Sequence, residues 1–547
     1  MKLLDLGSKV FKMQSISLKP LLLIMMSLMV LLPSSSFFLS PYLTQLIANA
    51  KHNQSQLSYG VKHNNIAALT FSIAHEPLGS KNWLLLKIQL AGIQADTAYE
   101  LGLWYLDNTL PEKSAEQQQL GENQAQMWFK QSIRIDPFAT QGGVQLALAS
   151  LYFKQGDLLL AQNILVTLNN SEANDNINGL SLDLLMLEIK ILIALGHIED
   201  LAKRIKLGRT LLLQSVSGRL LLDDLNKFKV LAVVVDKSNL ISSSQQKYKT
   251  AECQSSLQLF ASTLKHLKHL EQLQRKFSDR PLARFICLAP PRYLAVNTVQ
   301  CNHDKSETIQ CNEANWQAIE KTVATRHIGL MVEQGGANVH LGIMYFDSQD
   351  TVDVFSHEIS HLLGFVDEYP LVNSHQKCQK IQSEPFAHNI VVLKAIYHGE
   401  RTHIRQRLMH VIPWAEYIDD DTLILQQIIG KPDTWSLGTP EHMAGRIGLF
   451  ITESCDNSLA ANNLNFNAYK PIAQQTQLRY FTESFPAIYL KFLSDQPLNF
   501  LMPSFHYNLA FASYQVDALS QAKHWLQQAT LWEKSAVRKE KISQGNF

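Results

Sequence analysis

An excess of charge of either sign is missing from this 547-residue chain, in which 49 Lys and Arg stand against 48 Asp and Glu for a formal net charge of +1. With no surplus and no basic stripe, the electrostatic footprint of a nucleic-acid-binding protein is absent, so nucleic acid is not an expected partner. Cysteine is missing from the first 250 residues. The six cysteines, Cys253, Cys287, Cys301, Cys311, Cys378 and Cys455, come later, and none forms a C-x-x-C pair. A thioredoxin-type redox motif and a cysteine-built zinc site therefore have no support.

What is present bounds the rest. The length exceeds a single-domain core, so two or three domains are expected. With 46% hydrophobic and 18% charged residues, most of the chain reads as globular. The exception is the N-terminus, where Lys2, Lys9, Lys12 and Lys19 precede the apolar run Leu21 to Leu32 in the charge order of an export signal. Apolar character resumes at Phe37-Phe38-Leu39, which makes Leu21 to Leu43 long enough to span a bilayer. Residues 1–19 are thus expected on the cytoplasmic side and 20–43 as an uncleaved signal anchor, with the bulk of the chain in the periplasm of an inner-membrane protein. Secretion after cleavage near Ala50, at Ala48-Asn49-Ala50, is the alternative. An even number of cysteines in an exported chain points to disulfides, and Cys301 with Cys311, flanking a polar loop, is the first pair expected.

Residues 51–250 read as helical repeats. Leu148-Ala149, Tyr152, Gly156-Asp157, Ala161 and Leu165 carry the spacing of a tetratricopeptide-like unit, small residues standing where two helices touch. A looser copy runs from Leu101-Gly102 and Tyr105 to Ala125, Phe129, Ser132 and Pro137, split by a polar insertion from Asp107 to Asn123. Helical spacing continues from Leu180 to about Val235 and returns at Leu509-Ala510, Ala522, Leu526 and Ala529, so residues 496–547 read as a C-terminal helical hairpin with a frayed polar tail from Lys534. Such solenoids grip proteins or peptides.

The densest chemistry lies between these regions, in residues 251–495. His357-Glu358-Ile359-Ser360-His361 continues through Gly364 to Asp367, giving H-E-x-x-H-x-x-G-x-x-D. Residues four apart share one face of a helix, so the two imidazoles converge on one point with Glu358 beside it. The bare five-residue pattern arises by chance in roughly a few of every hundred such chains, and the extended one in about one in ten thousand. Gly364 can take the left-handed conformation that stops a helix and returns the chain, which brings Asp367 toward the same point. Two imidazoles and a carboxylate favour Zn2+ over magnesium or calcium and leave one coordination position for water. His357, His361 and Asp367 are the expected metal ligands, with Glu368 the alternative third ligand, and Glu358 is the expected general base for hydrolysis. No other cofactor-binding residues are read. An α+β order is expected around the motif: helical spacing from Leu257 to Phe277, a strand at Ala283 to Leu288, a helix from Ala314 to Ala324, strands at Ile328 to Val332 and Val339 to Phe346, and a helix from Val352 to Leu363.

The motif resembles the metzincin clan of zinc metallopeptidases, in the form where Asp replaces the third His, as in snapalysin-like enzymes. Asp367-Glu368-Tyr369, then Pro413-Trp414-Ala415-Glu416-Tyr417-Ile418, Gly448-Leu449-Phe450 and Tyr469-Lys470-Pro471 are similar in order to segments of the IgA-peptidase-like family. The resemblance implies a multidomain chain with a metzincin-like peptidase domain, a protein or peptide substrate, and an edge strand at Val339 to Phe346 that pairs with it. It also implies a methionine turn, although Ile472 to Leu478 holds no Met. Tyr469 would then contact substrate or the oxyanion, its plainer reading being a packed core tyrosine. Two other readings stay open: a catalytically degenerate repeat-type binding module, and a zinc amidase acting on a cell-wall amide.

Overall fold

The computed structural model describes residues 36–107, 114–137, 142–170, 181–231, 253–302, 307–371, 378, 381–382, 384–455 and 466–546. The expected cytoplasmic segment and most of the expected anchor, up to residue 35, lie outside the described residues. The last part of the anchor range enters helix α1 (Ser36–Ala48). Among the described residues no helix is long and apolar enough to cross a membrane. The chain divides into two compact units, residues 1–184 and 185–547.

The first unit is built from helices α2 (Gln54–Lys62), α3 (Ile66–Ala74), α4 (Lys81–Ala91), α5 (Ala95–Asp107), α6 (Ala115–Ile135), α7 (Gly143–Gln155) and α8 (Leu158–Asn170), each packed on its neighbour in sequence. Small residues set the spacing. A Cβ on Gly102 would stand 2.5 Å from the Phe129 ring, so α5 and α6 pack closely there, and Ser132 Oγ donates to the Ala95 carbonyl at 2.8 Å. Gly156, at φ +86°, ends α7 and lets Asp157 N–H bond the Tyr152 carbonyl at 2.9 Å. The part of the expected polar insertion from residue 115 on is helical, since α6 starts at Ala115 behind the N-cap of Ser114.

Helices α9 (Ser181–Leu195), α10 (Ile198–Gln214) and α11 (Val216–Lys227) carry the chain into the second unit. The division between units falls inside α9 rather than at residue 250, because α9 and the end of α11 are bonded to the sheet: Tyr293 Oη donates to the Ile193 carbonyl at 2.6 Å and Tyr293 N–H to Phe228 at 3.0 Å. That sheet has the order β2-β1-β3-β5-β4, from β1 (Ser255–Ala261), β2 (Ile286–Tyr293), β3 (His327–Val332), β4 (Asn338–His340) and β5 (Ile343–Asp347). All pairings are parallel except the antiparallel pairing of edge strand β4 with β5. One face holds α12 (Leu264–Phe277) and the motif helix α13 (Val352–Leu362), with Phe355 edge-on to Phe277 and Phe346 at 5.4 and 5.5 Å. The other face buries Phe260, Ile328, Leu330 and Tyr345 against α16 (Phe505–Gln515) and α17 (Leu519–Thr530) through Phe505, Leu509 and Trp525.

Four expected elements differ. Leu257 to Phe277 is a strand followed by a helix, because β1 lies between two parallel neighbours and is buried at every position, which erases the alternation that marks a strand. Ala283 to Leu288 is a 3-10 turn followed by β2 from Ile286, and Ala314 to Ala324 holds only a 3-10 turn and the short helix Gln317–Glu320. Val339 to Phe346 is a hairpin: Leu341 and Gly342, both at positive φ, form a two-residue turn, so β4 is the edge and β5, which leads into α13, is interior. The outer edge of β4 is partly taken, with Gly336 bonded to Glu307 and Ile309 and the His340 carbonyl accepting from Asn508 Nδ2 at 3.0 Å. The tail beyond Lys534 is not frayed but forms α18 (Ala536–Ser543), held by buried Ile542 against Tyr507 and Ala529 and by Arg538 on Glu533 and the Leu501 carbonyl.

After α13 come two small antiparallel sheets. One has the order β10-β11-β6, from β6 (Val391–Lys394), β10 (Phe450–Ile451) and β11 (Phe466–Lys470); the other has the order β7-β9-β8, from β7 (Ile396–His398), β8 (Leu425–Gln427) and β9 (Thr434–Leu437). Helix α14 (Arg401–Met409) lies between β7 and β8 in sequence, and α15 (Ala487–Asp495) follows β11. All six cysteines are paired, as Cys253–Cys287, Cys301–Cys311 and Cys378–Cys455, an arrangement that fits a protein folding outside the reducing cytoplasm.

Candidate metal centre

The motif helix begins where β5 ends. Asp347 N–H bonds the Asp350 carboxylate at 2.7 Å, and Thr351 caps α13 by accepting from Val354 N–H. Along α13 the residues Phe355 to Ser360 are buried without interruption, so the helix is enclosed on all sides and its polar side chains need internal partners. Gly364, at φ +99°, closes it: Phe365 N–H reaches back to the Ser360 carbonyl at 3.1 Å, and a Cβ on Gly364 would stand 2.5 Å from the Phe500 carbonyl oxygen. Both conformation and space require glycine here.

The chain then turns so that three atoms meet. His357 Nε2 and His361 Nε2 are 3.0 Å apart, and Asp367 Oδ1 lies 3.0 Å from the first and 3.2 Å from the second. Each imidazole has its other nitrogen on a backbone carbonyl, His357 Nδ1 on Gln477 at 2.9 Å and His361 Nδ1 on Phe365 at 3.1 Å. A carbonyl only accepts, so both Nδ1 atoms carry the hydrogen, and each ring in its neutral form points the Nε2 lone pair at the carboxylate. Three acceptors at this separation repel unless a cation lies among them. Although it is this close to both rings, buried Asp367 Oδ1 has no partner in hydrogen-bond geometry. The three atoms are aimed at a common point rather than at one another.

Zinc fits that point. Ligands about 2.0–2.1 Å from a tetrahedral zinc stand roughly 3.3 Å apart, close to the spacing found. His357, His361 and Asp367 could hold the ion, and both imidazoles have the carbonyl partners that orient metal-bound histidines. Glu358, 5% exposed, offers a carboxylate oxygen within 4.8 Å of both imidazoles. The ligand atoms of His357, Glu358 and His361 all lie within 4.8 Å of one another, a second grouping on the same two histidines with spacing suited to a metal ion. No family model, curated protein or solved structure matches this chain.

The electrostatics of the chain alone express the same need for positive charge. Burial opposes a charged imidazole at His361, but the Asp367 carboxylate outweighs it and raises the pKa to about 9. Burial would likewise raise Asp367, yet the charge on His361 and the nearness of both rings hold its carboxyl well below the usual range. Burial, with the carboxylates of Asp367 and Asp350 and against the pull of His361, pushes Glu358 up to about 8.

Asp367 and Glu368, the two candidates for the third ligand, point in opposite directions. Glu368 is fully buried away from the imidazoles, its carboxylate accepting from Lys470 Nζ at 2.8 Å, Tyr489 Oη at 2.6 Å and Asn389 Nδ2 at 3.3 Å. Tyr469, read as a possible oxyanion contact, is packed in β11 with its hydroxyl toward the Leu437 carbonyl at 3.3 Å, as its plainer reading had it. Tyr369 is the phenol beside the site, its ring parallel to that of His357 at 6.2 Å. Beneath His357 runs a turn in which Arg479 N–H bonds the Thr476 carbonyl at 2.9 Å and Leu478 is fully buried; this segment follows Tyr469-Lys470-Pro471 and holds no methionine. Sequence reasoning missed Gln477, which gives its carbonyl to His357 and its side chain to Ser356 and the Asp353 carbonyl. Nothing in its local sequence signals that role.

Proposed function

We propose that this chain is a zinc-dependent metallopeptidase of a divergent, metzincin-like kind, with Glu358 as general base. The observation that carries the reading is the meeting of His357 Nε2, His361 Nε2 and Asp367 Oδ1 within 3.2 Å, every partner hydrogen turned away from the meeting point. A zinc ion there supplies the Lewis acidity that polarises a scissile carbonyl and acidifies water. The chain does the rest. Glu358 accepts the proton of the attacking water and returns it to the leaving amine. The carbonyls of Gln477 and Phe365 fix both imidazole tautomers. Tyr369 and Phe481 flank the His357 ring, the first stacked at 6.2 Å and the second edge-on at 4.7 Å.

Peptide bonds are the substrate class that this donor set and base fit best. The helix pairs of residues 51–170 support a repeat-type surface that recruits a protein substrate, and the three disulfides support an extracytoplasmic location. The test pairs zinc content with turnover of a fluorogenic peptide library. Wild type is expected to hold one zinc per chain and cleave; Glu358→Gln is expected to keep the zinc and lose about two to four orders of magnitude in kcat. Undiminished cleavage by that variant would sink the mechanism.

A further inference from the structure

We propose that Glu368 and Lys470 are positioning residues for the third metal ligand, an internal ion pair that holds Asp367 at the distance the two histidines require; this deepens the zinc reading above and rests on it. The pair is sealed from solvent, with 0% and 5% of the two side chains exposed and Nζ 2.8 Å from Oε2. Every polar atom around it is used. Lys470 Nζ also donates to the Gln474 carbonyl at 2.8 Å, and the other Glu368 oxygen accepts from Tyr489 and Asn389. Asn389 in turn clamps the residue before the ligand, accepting from Val366 N–H at 3.0 Å and donating to the Val366 carbonyl at 2.8 Å. The ligand's own carbonyl accepts from Ser454 Oγ at 2.6 Å, and the Glu368 backbone is bonded to Leu478 on one side and Thr452 on the other. Val366, Asp367 and Glu368 are thereby fixed on both sides of a ligand that lies in no helix or strand.

The nature of the fixation points to position rather than stability. A fully buried ion pair recovers little beyond its own desolvation, and apolar residues of similar volume would hold a core as well. What apolar residues would not supply is direction. Glu368 is one residue from Asp367, so anchoring its carboxylate on β11 turns the neighbouring carboxylate the other way, onto His357 and His361. A ligand on a free loop would have to be ordered when the metal binds; here the ordering is done beforehand.

The experiment measures affinity for zinc alone on the full chain, by competition with a chromophoric chelator at pH 7, beside the melting temperature of the stripped protein. The neutral replacement Glu368→Gln with Lys470→Met is expected to bind zinc about 10–100-fold more weakly than wild type, the range typical of lost outer-shell partners. Tyr489→Phe, which removes one donor from Glu368 and leaves the pair, is expected to weaken binding several-fold, and Lys470→Arg to stay nearer to wild type than Lys470→Met. A purely structural role would shift the melting temperature and leave the affinity of the folded protein alone. Wild-type affinity in the folded double variant, or in Tyr489→Phe should the double variant not fold, overturns the positioning role while the zinc site stands. No zinc on wild type overturns the site and this proposal together.

Discussion

His327 and His357 are sealed in the same unit, at 0% and 1% exposure, and differ in what meets their nitrogens. His327 Nδ1 accepts from Ser255 Oγ at 3.0 Å and its Nε2 donates to the Met502 carbonyl at 3.1 Å, so both are matched. Burial, and then the charge of Arg326, push its pKa down to about 3, and it stays a neutral spacer. Arg326 beside it is matched as well, by Glu533 and by the Met502 and Trp532 carbonyls. His357 has one nitrogen matched and the other facing two further acceptors. Burial of polar groups therefore does not mark a functional site by itself; a deficit of one positive charge does.

The contrast can be broken from either side. The largest effect is expected at the open cluster: Asp367→Ala should lower zinc affinity by more than the roughly 100-fold ceiling of outer-shell losses, because it removes the anionic ligand itself. Unchanged zinc content would move the third ligand elsewhere. At the closed cluster, Arg326→Met removes one of the two arginines on the buried Glu533 carboxylate, Arg538 being the other, and leaves the Trp532 carbonyl without that donor; it should cost up to about 3 kcal/mol of stability in chemical denaturation, while the folded fraction keeps its zinc. A variant of normal stability that had lost zinc would erase the distinction between the two clusters.

The smallest effect is a pH dependence of the chelator-stripped protein. His361 has a folded pKa of about 9, above its unfolded value near ~6.5, so its contribution is full below that value and is lost as pH rises through 9. Glu358, raised to about 8, acts in the same direction, since the folded state favours its protonated form. The melting temperature of the stripped protein should therefore fall between about pH 6.5 and 9, and saturating zinc, which displaces the His361 proton, should flatten that slope. A rise over this window without zinc would contradict the charge assignment.

The sequence showed the open cluster better than the scaffold that aims it. H-E-x-x-H fixes the two imidazoles through helix geometry alone, and Gly364 betrays the turn because no other residue fits its φ and its neighbour Phe500. Asp367 and Glu368 could not be told apart, since what separates them is Lys470, 102 residues away. Strand β1 hid in a helical pattern because it is buried on both faces, and the β4–β5 hairpin hid because Leu341 occupies a turn position where Asn or Gly would have announced it. The last helix was invisible for another reason: a polar tail is held by one apolar residue, Ile542, and by Arg538 reaching the Leu501 and Asn499 carbonyls.

The carbonyl of Phe500 fills the space against Gly364, and Met502 N–H bonds the Leu362 carbonyl at the end of the motif helix. The turn that swings Asp367 toward the histidines is thus finished by chain made more than 130 residues later than the motif. During synthesis the two histidines and Asp367 emerge well before the segment that packs against their turn. Order of manufacture matters here: the growing polypeptide carries the three converging side chains long before it carries the chain that packs against their turn.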